Sequence, residues 1–309
     1  MSELPAGVRA MADRGPQWSA WVDALPRLTR DVVAHWGLRP DGAATHGYCS
    51  LVLPVRTRDG AAAMLKLSFP DDESEHEHLA LRRWGGEGAV RLLSADPHRG
   101  ALLLERLGDD DLTAVTDLEA CQIVAGLYRK IHVPALPQLR PLTFHVDRWT
   151  AELAALPRNA PIPHRLVEQA LSQYADLKAD RDATSRVLHC DLHYANVLAG
   201  GHQPWLVIDP KPVNGDPPYE LAPMLWNRFD ELAGDVREGV RRRFYTLVDA
   251  AGFDEDRARA WVVVRMVINA MWAVQDAAGR RQATRGITSP RAEPGWLTTC
   301  IAVAKAVQD

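Results

Sequence analysis

The residue types that could perform chemistry are concentrated between residues 187 and 209 of the 309-residue chain. Asp191 is followed five residues later by Asn196, and Asp209 comes thirteen residues after that, at the end of an apolar, strand-like run. Transfer of a phosphoryl group needs a group that orients the attacking hydroxyl and oxygen ligands for the Mg²⁺ that bridges the phosphates. The pattern therefore predicts Asp191 as the residue that positions the hydroxyl, and Asn196 and Asp209 as metal ligands.

Two other interpretations of this segment remain open. Asp191 and Asn196 could cap turns while Asp209 merely ends a strand. Alternatively, His189 and His193, which are four residues apart, could bind a metal from one face of a helix. Such a helix would have to run through β-rich residues, and the segment lacks H-E-x-x-H, so phosphoryl transfer is the favoured interpretation.

A charged residue inside an apolar strand is the first candidate for holding a nucleotide. Lys66 lies in the run 61–69, whose alternating pattern predicts a β-strand. A buried ammonium needs an anionic partner, and Glu77 on the next predicted helix is preferred over Glu75. Two alternatives stay open: Lys66 could lie exposed on an edge strand, and Glu77, in the capping box that begins at Ser74, could simply close the start of its helix.

Backbone groups of the same half of the chain are expected to complete a nucleotide site. Gly47 and Ser50 lie in a turn before Lys66 that could cover phosphates, although its single glycine is equally compatible with an ordinary tight turn. The backbone from Glu105 to Leu107, where the last predicted strand of this half ends, could bind adenine. No G-x-x-x-x-G-K-[ST] motif occurs, which argues against a P-loop NTPase.

The pattern of predicted elements changes near residue 108. Before it, a helical segment containing Pro26, which could divide it into two pieces, is followed by strand, strand, helix, strand and strand; after it, helices dominate except for a β-rich island at 187–209. This order predicts an α+β fold with a small, mostly-β lobe (1–107) and a larger, mostly-α lobe (108–309). A cleft between two such lobes is where small molecules usually bind.

Composition limits the partners that the chain can have. Lys plus Arg number 36 and Asp plus Glu number 40, so the formal net charge is −4. Nucleic-acid-binding proteins usually carry a basic patch, so nucleic acid is not an expected partner, whereas a cationic small molecule fits. The four cysteines form no C-x-x-C pair, and no signal core or membrane-spanning run is evident. We therefore expect a cytoplasmic protein, monomeric or weakly dimeric, with no membrane partner.

Five segments carry a family resemblance: H-x-D-x-H-x-x-N at 189–196, W-L-V-I-D-P-K-P-V-N-G-D-P-P-Y-E-L at 205–221, A-L-R-R-W-G-G-E-G-A-V-R-L-L at 80–93, L-L-L-E-R-L at 102–107 and V-R-M-V-I-N-A-M-W at 264–272. Together they resemble the aminoglycoside/hydroxyurea phosphotransferases of the protein-kinase-like superfamily, among which the streptomycin kinases are most similar. The H-R-D and D-F-G motifs of protein kinases become H-C-D and D-P-K here, so control by activation-loop phosphorylation is not expected.

The resemblance implies a two-lobed kinase-like fold, ATP and Mg²⁺ as cofactors, and transfer of the γ-phosphate to a hydroxyl of a small molecule. It gives Asp191, Asn196, Asp209, Lys66 and Glu77 the roles described above. The leading hypothesis is an antibiotic kinase acting on an aminoglycoside such as streptomycin. The alternatives are a metabolic kinase for a sugar, a choline-like or amino-acid alcohol or hydroxyurea, and, less favoured, a nucleotide-binding regulator without activity.

Substrate recognition is expected in the helical C-terminal third. Four residues share one face of a predicted helix there: Arg265, Asn269, Trp272 and Asp276. An aromatic ring beside a carboxylate suits a guanidinium or amino-sugar substrate, although an internal Arg–Asp arrangement is equally compatible. Glu220 is predicted to brace the catalytic loop first and to contact substrate second. Lys211 could touch the γ-phosphate or face solvent.

Overall fold

The computed structural model describes residues 4–72, 74–278 and 295–308. Its backbone contacts divide the chain into two compact units. The first comprises Met1–Asp109 and Ala199–Leu206, and the second comprises Asp110–Leu198 and Val207–Asp309. Each unit contains its own set of predicted functional residues.

The first unit is built on a six-stranded antiparallel sheet. Its elements are α1 (Ala6–Ala10), α2 (Pro16–Trp36), β1 (Arg39–Pro40), β2 (Thr45–His46), β3 (Ser50–Arg56), β4 (Ala62–Ser68), α3 (Glu77–Trp84), β5 (Leu92–Asp96) and β6 (Ala101–Glu105). The strand order is β1-β3-β4-β6-β5, and β2 also pairs with β3. On the central strand β4, Lys66 lies opposite Val52 on one side and Leu102 on the other. Lys66 is therefore not on an edge strand.

The N-terminal helical segment, which we define as residues 6–36, packs against this sheet. Ala63, Leu65 and Leu67 alternate along β4 and are at most 1% exposed. They share one apolar core with Val8 of α1 and Leu25 of α2. Apolar residues alternate along β4 and recur at helical spacing along α2. This is the pattern expected when one face of a sheet is buried under a helix.

The helix α2 is continuous through Pro26, whereas the sequence left open a division into two pieces. A proline inside a helix removes one backbone donor and strains the preceding turn. Burial of Val22, Leu25 and Val32 on the inner face of α2 offsets that cost. Tertiary packing thus overrides the local signal.

The second unit is mostly helical. Its elements are α4 (Asp117–Ile131), α5 (Leu142–Ala154), α6 (His164–Lys178), β7 (Arg186–Leu188), β8 (Val197–Ala199), β9 (Trp205–Val207), β10 (Val213–Gly215), α7 (Ala222–Trp226), α8 (Val236–Ala251), α9 (Glu255–Ala277) and α10 (Trp296–Ala306). The strands β8 and β9 pair, and Ala199–Leu206, which comprises the end of β8, the connecting turn and the first two residues of β9, is grouped with the first unit. None of the helices described is both long enough and apolar enough to span a membrane.

The helix α9 forms the centre of the second unit. It is buried continuously from Trp261 to Ala273 and packs against α6 and α10. A helix that is apolar on every side must be surrounded by protein. Polar residues on α9 therefore contact other parts of the protein before they can contact solvent, which bears on the predicted substrate stripe.

Candidate active site

A short two-stranded ladder positions the loops that carry the predicted catalytic and metal-binding residues. The strand β7 leads into the catalytic loop, and β10, its antiparallel partner, follows the second loop. The two loops are also hydrogen-bonded to each other, with Lys211 N–H donating to His189 O at 2.9 Å and Ile208 N–H donating to Asn196 O at 3.0 Å. Residues far apart in sequence are thereby held side by side.

Asp191, Asn196 and Asp209 lie in one cluster. The Asn196 Nδ2 donates to the backbone oxygen of Asp191 at 2.7 Å, an arrangement that turns the amide oxygen of Asn196 toward other partners. Lys211 Nζ lies 3.2 Å from Asp191 Oδ2 and 3.7 Å from Asp209 Oδ2. One ammonium therefore bridges the residue predicted to position the hydroxyl and a residue predicted to hold the metal.

Two residues of this cluster have a strained backbone. Cys190 has φ of 66° and Asp209 has φ of 56°, values in the left-handed region. Each such residue costs on the order of 1–3 kcal/mol and persists only where its surroundings enforce it. Strain of this kind is common in active sites, where it aims a side chain that an ordinary turn would direct elsewhere.

Glu220 provides much of that enforcement. Its Oε1 accepts the backbone N–H groups of His189 and, at 2.7 Å, of Cys190, while its Oε2 lies 3.0 Å from His132 Nε2. Burial alone would raise the pKa of this carboxyl, but the His132 hydrogen bond and the nearby imidazole and backbone donors outweigh it and hold the pKa below its ordinary value. These contacts are those of a brace for the catalytic loop, and substrate contact by Glu220 stays a prediction.

The His189 ring is fully committed to the loop. Its Nε2 lies 2.8 Å from Ile208 O, and its Nδ1 accepts the N–H of Asp191 at 3.2 Å, so the proton resides on Nε2. Burial lowers the pKa of His189 and favours this neutral form. The alternative metal site built on His189 and His193 lacks its first ligand, and no cluster of three or more His, Cys, Asp or Glu suited to a metal occurs among the described residues.

Most of the predicted substrate stripe on α9 faces protein. Arg265, Asn269 and Trp272 are 2%, 1% and 3% exposed, and Asp276 is half-buried. The Arg265 guanidinium donates to Cys190 O at 2.7 Å and to Tyr219 O at 3.0 Å. Arg265 therefore stabilises the strained backbone of the catalytic loop at Cys190. Asp276 is the most accessible of the four stripe residues, so the prediction that the stripe contacts substrate now depends mainly on Asp276.

The predicted ion pair of the first unit is present. Lys66 Nζ lies 2.7 Å from both carboxylate oxygens of Glu77, and the two residues are 7% and 1% exposed. The helix α3 begins at Glu77 itself, its N-cap residue is His76, and no side chain caps it. Glu77 is thus placed as the partner of Lys66 and not as a helix cap.

The remaining predicted nucleotide contacts lie at two ends of the sheet. Gly47 N–H donates to Ser50 O at 3.0 Å and closes the turn between β2 and β3. The Glu105 side chain accepts Arg91 N–H at 2.8 Å and pairs with His202. In the described part of the chain, neither backbone group of Leu107 has a hydrogen-bond partner, so Leu107 can offer both to a ligand.

The N-terminal helical segment touches the turn at residues 46–50 directly. A Cβ placed on Gly7 would lie 2.0 Å from Nε2 of His46, so only glycine fits there without a shift. The Arg14 guanidinium donates to Tyr48 O at 2.8 Å and lies over the rings of Tyr48 and Trp18, 4.4 and 4.7 Å from their centroids. The contacts of Gly7 with His46 and of Arg14 with Tyr48 could not be predicted from local sequence patterns, because each joins residues that are more than thirty positions apart.

A second buried network anchors the turn that carries Asn196, and it too could not be predicted from the sequence. Arg243, fully buried on α8, pairs with Asp117 Oδ2 at 2.7 Å, and the Tyr194 hydroxyl donates to the other oxygen of the same carboxylate. Asp117 is the first residue of α4, and no role for it was predicted from the sequence. Arg243 lies in a polar stretch of α8, so its role in this network can be recognised only once its burial is known.

Comparisons with known proteins show the family to which this chain belongs. The model of the aminoglycoside/hydroxyurea antibiotic resistance kinase family matches residues 35–277. The chain belongs to this family. It is 41% identical to the streptomycin 6-kinase of Streptomyces glaucescens, over 89% of this chain and 92% of the relative, and 40% identical to the hydroxyurea phosphotransferase of Kitasatospora aureofaciens, over 89% and 81%.

The fold has solved counterparts. A crystal structure of a spectinomycin phosphotransferase in complex with ADP and spectinomycin aligns with a TM-score of 0.58 over 92% of this chain and 98% of its own, at 14% identity. The family and the α+β, protein-kinase-like fold class predicted from the sequence are thereby confirmed. The chain is a phosphotransferase that acts on a hydroxyl group, as predicted.

Proposed function

We propose that this kinase transfers the γ-phosphate of ATP to a hydroxyl of streptomycin, specifically the 6-hydroxyl. The observation that carries the proposal is the cluster of Asp191, Asn196 and Asp209, held together by hydrogen bonds between two loops. The choice of acceptor draws on the streptomycin 6-kinase, at 41% identity over nearly the whole chain. A cationic aminoglycoside also suits a protein of net charge −4.

The residues present fit the two groups that the reaction requires. The carboxylate of Asp209 and the amide oxygen of Asn196 are hard oxygen donors of the type that Mg²⁺ prefers, and the Nδ2 of Asn196 is already used by Asp191 O. Lys66, fixed by Glu77, is a buried cation suited to the α- and β-phosphates. When bound, Mg²⁺ neutralises charge on the phosphates.

In the proposed reaction, Asp191 orients the acceptor hydroxyl and accepts its proton as the bond to phosphorus forms. The bond between the γ-phosphorus and the bridging oxygen breaks, and ADP leaves with that electron pair. Glu220 and Arg265 keep Asp191 in place by fixing the backbone of the loop around Cys190. A cytoplasmic, monomeric or weakly dimeric enzyme without nucleic-acid or membrane partners fits this role.

The test is an assay of ADP release with ATP and Mg²⁺ in the presence of streptomycin, followed by mass spectrometry and NMR of the product. We expect a streptomycin 6-phosphate. Asp191→Asn should lower turnover by about two to four orders of magnitude, because a positioned base contributes that much, while ATP affinity changes little. Turnover within threefold of wild type in this variant would contradict the role of Asp191.

Hydroxyurea is the second candidate acceptor, because the hydroxyurea phosphotransferase is almost as similar to this chain. The same assay with hydroxyurea separates the two. Turnover with hydroxyurea and none with streptomycin would replace the proposed acceptor, and ADP release with neither would reject both.

A further inference from the structure

Lys211 is a buried cation for which the sequence left two opposite roles open. Solvent exposure is excluded, because Lys211 is 7% exposed. Its backbone N–H is fixed by His189 O at 2.9 Å, and its ammonium lies between the Asp191 and Asp209 carboxylates, at 3.2 and 3.7 Å. A lysine held at both its backbone and its side chain cannot move far from this point.

The position of the ammonium matters because of what must come between these two carboxylates during the reaction. In the proposed function, Asp191 would orient the attacking hydroxyl, and Asp209 would be a ligand of the metal that neutralises the phosphates. The transferred phosphoryl group would then lie close to both carboxylates. A cation within 4 Å of both carboxylates is therefore within reach of that group.

Charge balance favours the same role. Counted without a metal, two carboxylates and one ammonium leave the cluster with one net negative charge, and the Asp191 carboxylate would repel a phosphate if no cation faced it. His193 Nε2 lies 4.0 Å from Asp191 Oδ1, whereas Lys211 Nζ lies 3.2 Å from the other carboxylate oxygen, Oδ2. Lys211 is the group placed to offset repulsion between Asp191 and an incoming γ-phosphate.

We propose that Lys211 is a catalytic residue that binds the γ-phosphoryl group during transfer. The proposal rests on the proposed kinase activity, and it deepens that activity by assigning the cation at the transferred group. It distinguishes Lys211 from Lys66, which serves the α- and β-phosphates. The Lys211 side chain thus recognises ATP over ADP.

The experiment compares two nucleotides by calorimetry, in the presence of Mg²⁺ and without an acceptor. The ligands are ADP and the non-hydrolysable β,γ-imido analogue of ATP. Lys211→Met should weaken the analogue by roughly tenfold or more, the effect of losing a hydrogen bond to a charged group, and should leave ADP within about twofold. Lys66→Met is the matched control, and it should weaken both nucleotides.

A second variant guards against loss of folding. Lys211→Gln can still donate a hydrogen bond to Asp191 but has no charge, so it preserves the structural contact and should show the same selective loss of the analogue. An unchanged ratio of analogue to ADP affinity in either folded variant would overturn the role of Lys211, whatever the acceptor is. A wild-type protein that binds both nucleotides but phosphorylates neither acceptor would instead reject the proposed function and leave this comparison valid.

Discussion

At the scale of single residues, the catalytic loop is held in a strained conformation by three buried charged or polar groups. Glu220 binds its N–H groups, Arg265 binds the carbonyl of Cys190, and the His189 ring binds the N–H of Asp191. Because each contact is to the backbone, it constrains the conformation of the loop directly. The strain at Cys190 is then a fixed cost that buried hydrogen bonds offset.

Glu220 should make the stability of the protein depend on acid. Its folded pKa lies below the ordinary value of 4.5, so its stabilising contribution is complete above about pH 4.5 and is lost as pH falls through the lower folded pKa. Glu220→Gln should cost about 3–5 kcal/mol near pH 7, as for breaking a buried pair. The difference from wild type should shrink as pH is lowered below 4.5.

Urea denaturation across a pH series measures this. Glu168→Gln is the control, since the Glu168 side chain is 68% exposed on α6 and should change little at any pH. A wild-type-to-variant gap that stays constant from pH 7 to pH 3 would show that Glu220 is not ionised in the folded protein.

The types and spacing of the catalytic residues could be predicted, because phosphoryl transfer restricts which side chains can serve. The positions of Lys211 and Arg265 could not. Both are charged residues that the sequence would place near solvent or substrate, and only the burial of their surroundings assigns them to the cluster and its support. The role of His132 could not be predicted either, because its partner Glu220 lies 88 positions away in the sequence.

At the scale of elements, β4 and α3 are joined by the Lys66–Glu77 pair. Lys66→Met or Glu77→Gln alone should raise the Michaelis constant for ATP, the lysine variant more strongly. Because each single change already breaks the same pair, the double variant should fall short of the sum of the two effects. Steady-state kinetics of the four proteins tests this.

Glu75→Gln provides the matched control, since the Glu75 side chain is 54% exposed and its Oε2 lies 3.8 Å from His76 Nδ1. It should leave the constant for ATP nearly unchanged. Strict additivity in the Lys66–Glu77 cycle would mean that the two side chains act independently on the nucleotide.

The N-terminal helical segment should influence the turn that is predicted to cover the phosphates. Arg14 holds Tyr48 through both its ring and its carbonyl, so Arg14→Ala should loosen the turn and raise the Michaelis constant for ATP several-fold, by loss of a charged hydrogen bond. The constant for the acceptor should hardly move.

Arg9→Ala is the control for Arg14, because Arg9 belongs to the same segment but donates to Leu4 O, away from the turn at residues 46–50. Equal effects of the two substitutions would mean that Arg14 acts through general stability. Such a contact could not be predicted from local patterns, which foretell that 18–36 is helical but not which turn it holds.

At the scale of the whole molecule, the charge of −4 and the half-buried Asp276 at the end of α9 lead to a prediction about the acceptor. Asp276→Asn should raise the Michaelis constant for streptomycin by roughly tenfold, the effect of one charge-assisted hydrogen bond. Added salt should raise the wild-type constant, because exposed pairs are screened within about 8 Å at physiological ionic strength.

Asp256→Asn on the same helix is the control, since its side chain is 95% exposed. A drop in melting temperature for Asp276→Asn with an unchanged Michaelis constant for streptomycin would assign Asp276 to the fold and place the acceptor elsewhere.

The change in the pattern of predicted elements near residue 108 predicts two units. It gives no sign that Ala199–Leu206 is grouped with the first of them.

Residues 6–36 cover an apolar face of the sheet, and this affects how a product translated without them would behave. The family match starts at residue 35, so a reading frame opened there would still encode every recognisable motif. The ribosome would nevertheless release a sheet whose Leu51, Leu53, Val55 and Leu65 had lost their covering helices. An uncovered apolar sheet face invites association with other chains, so such a product would collect in inclusion bodies although its sequence still looked like an intact kinase.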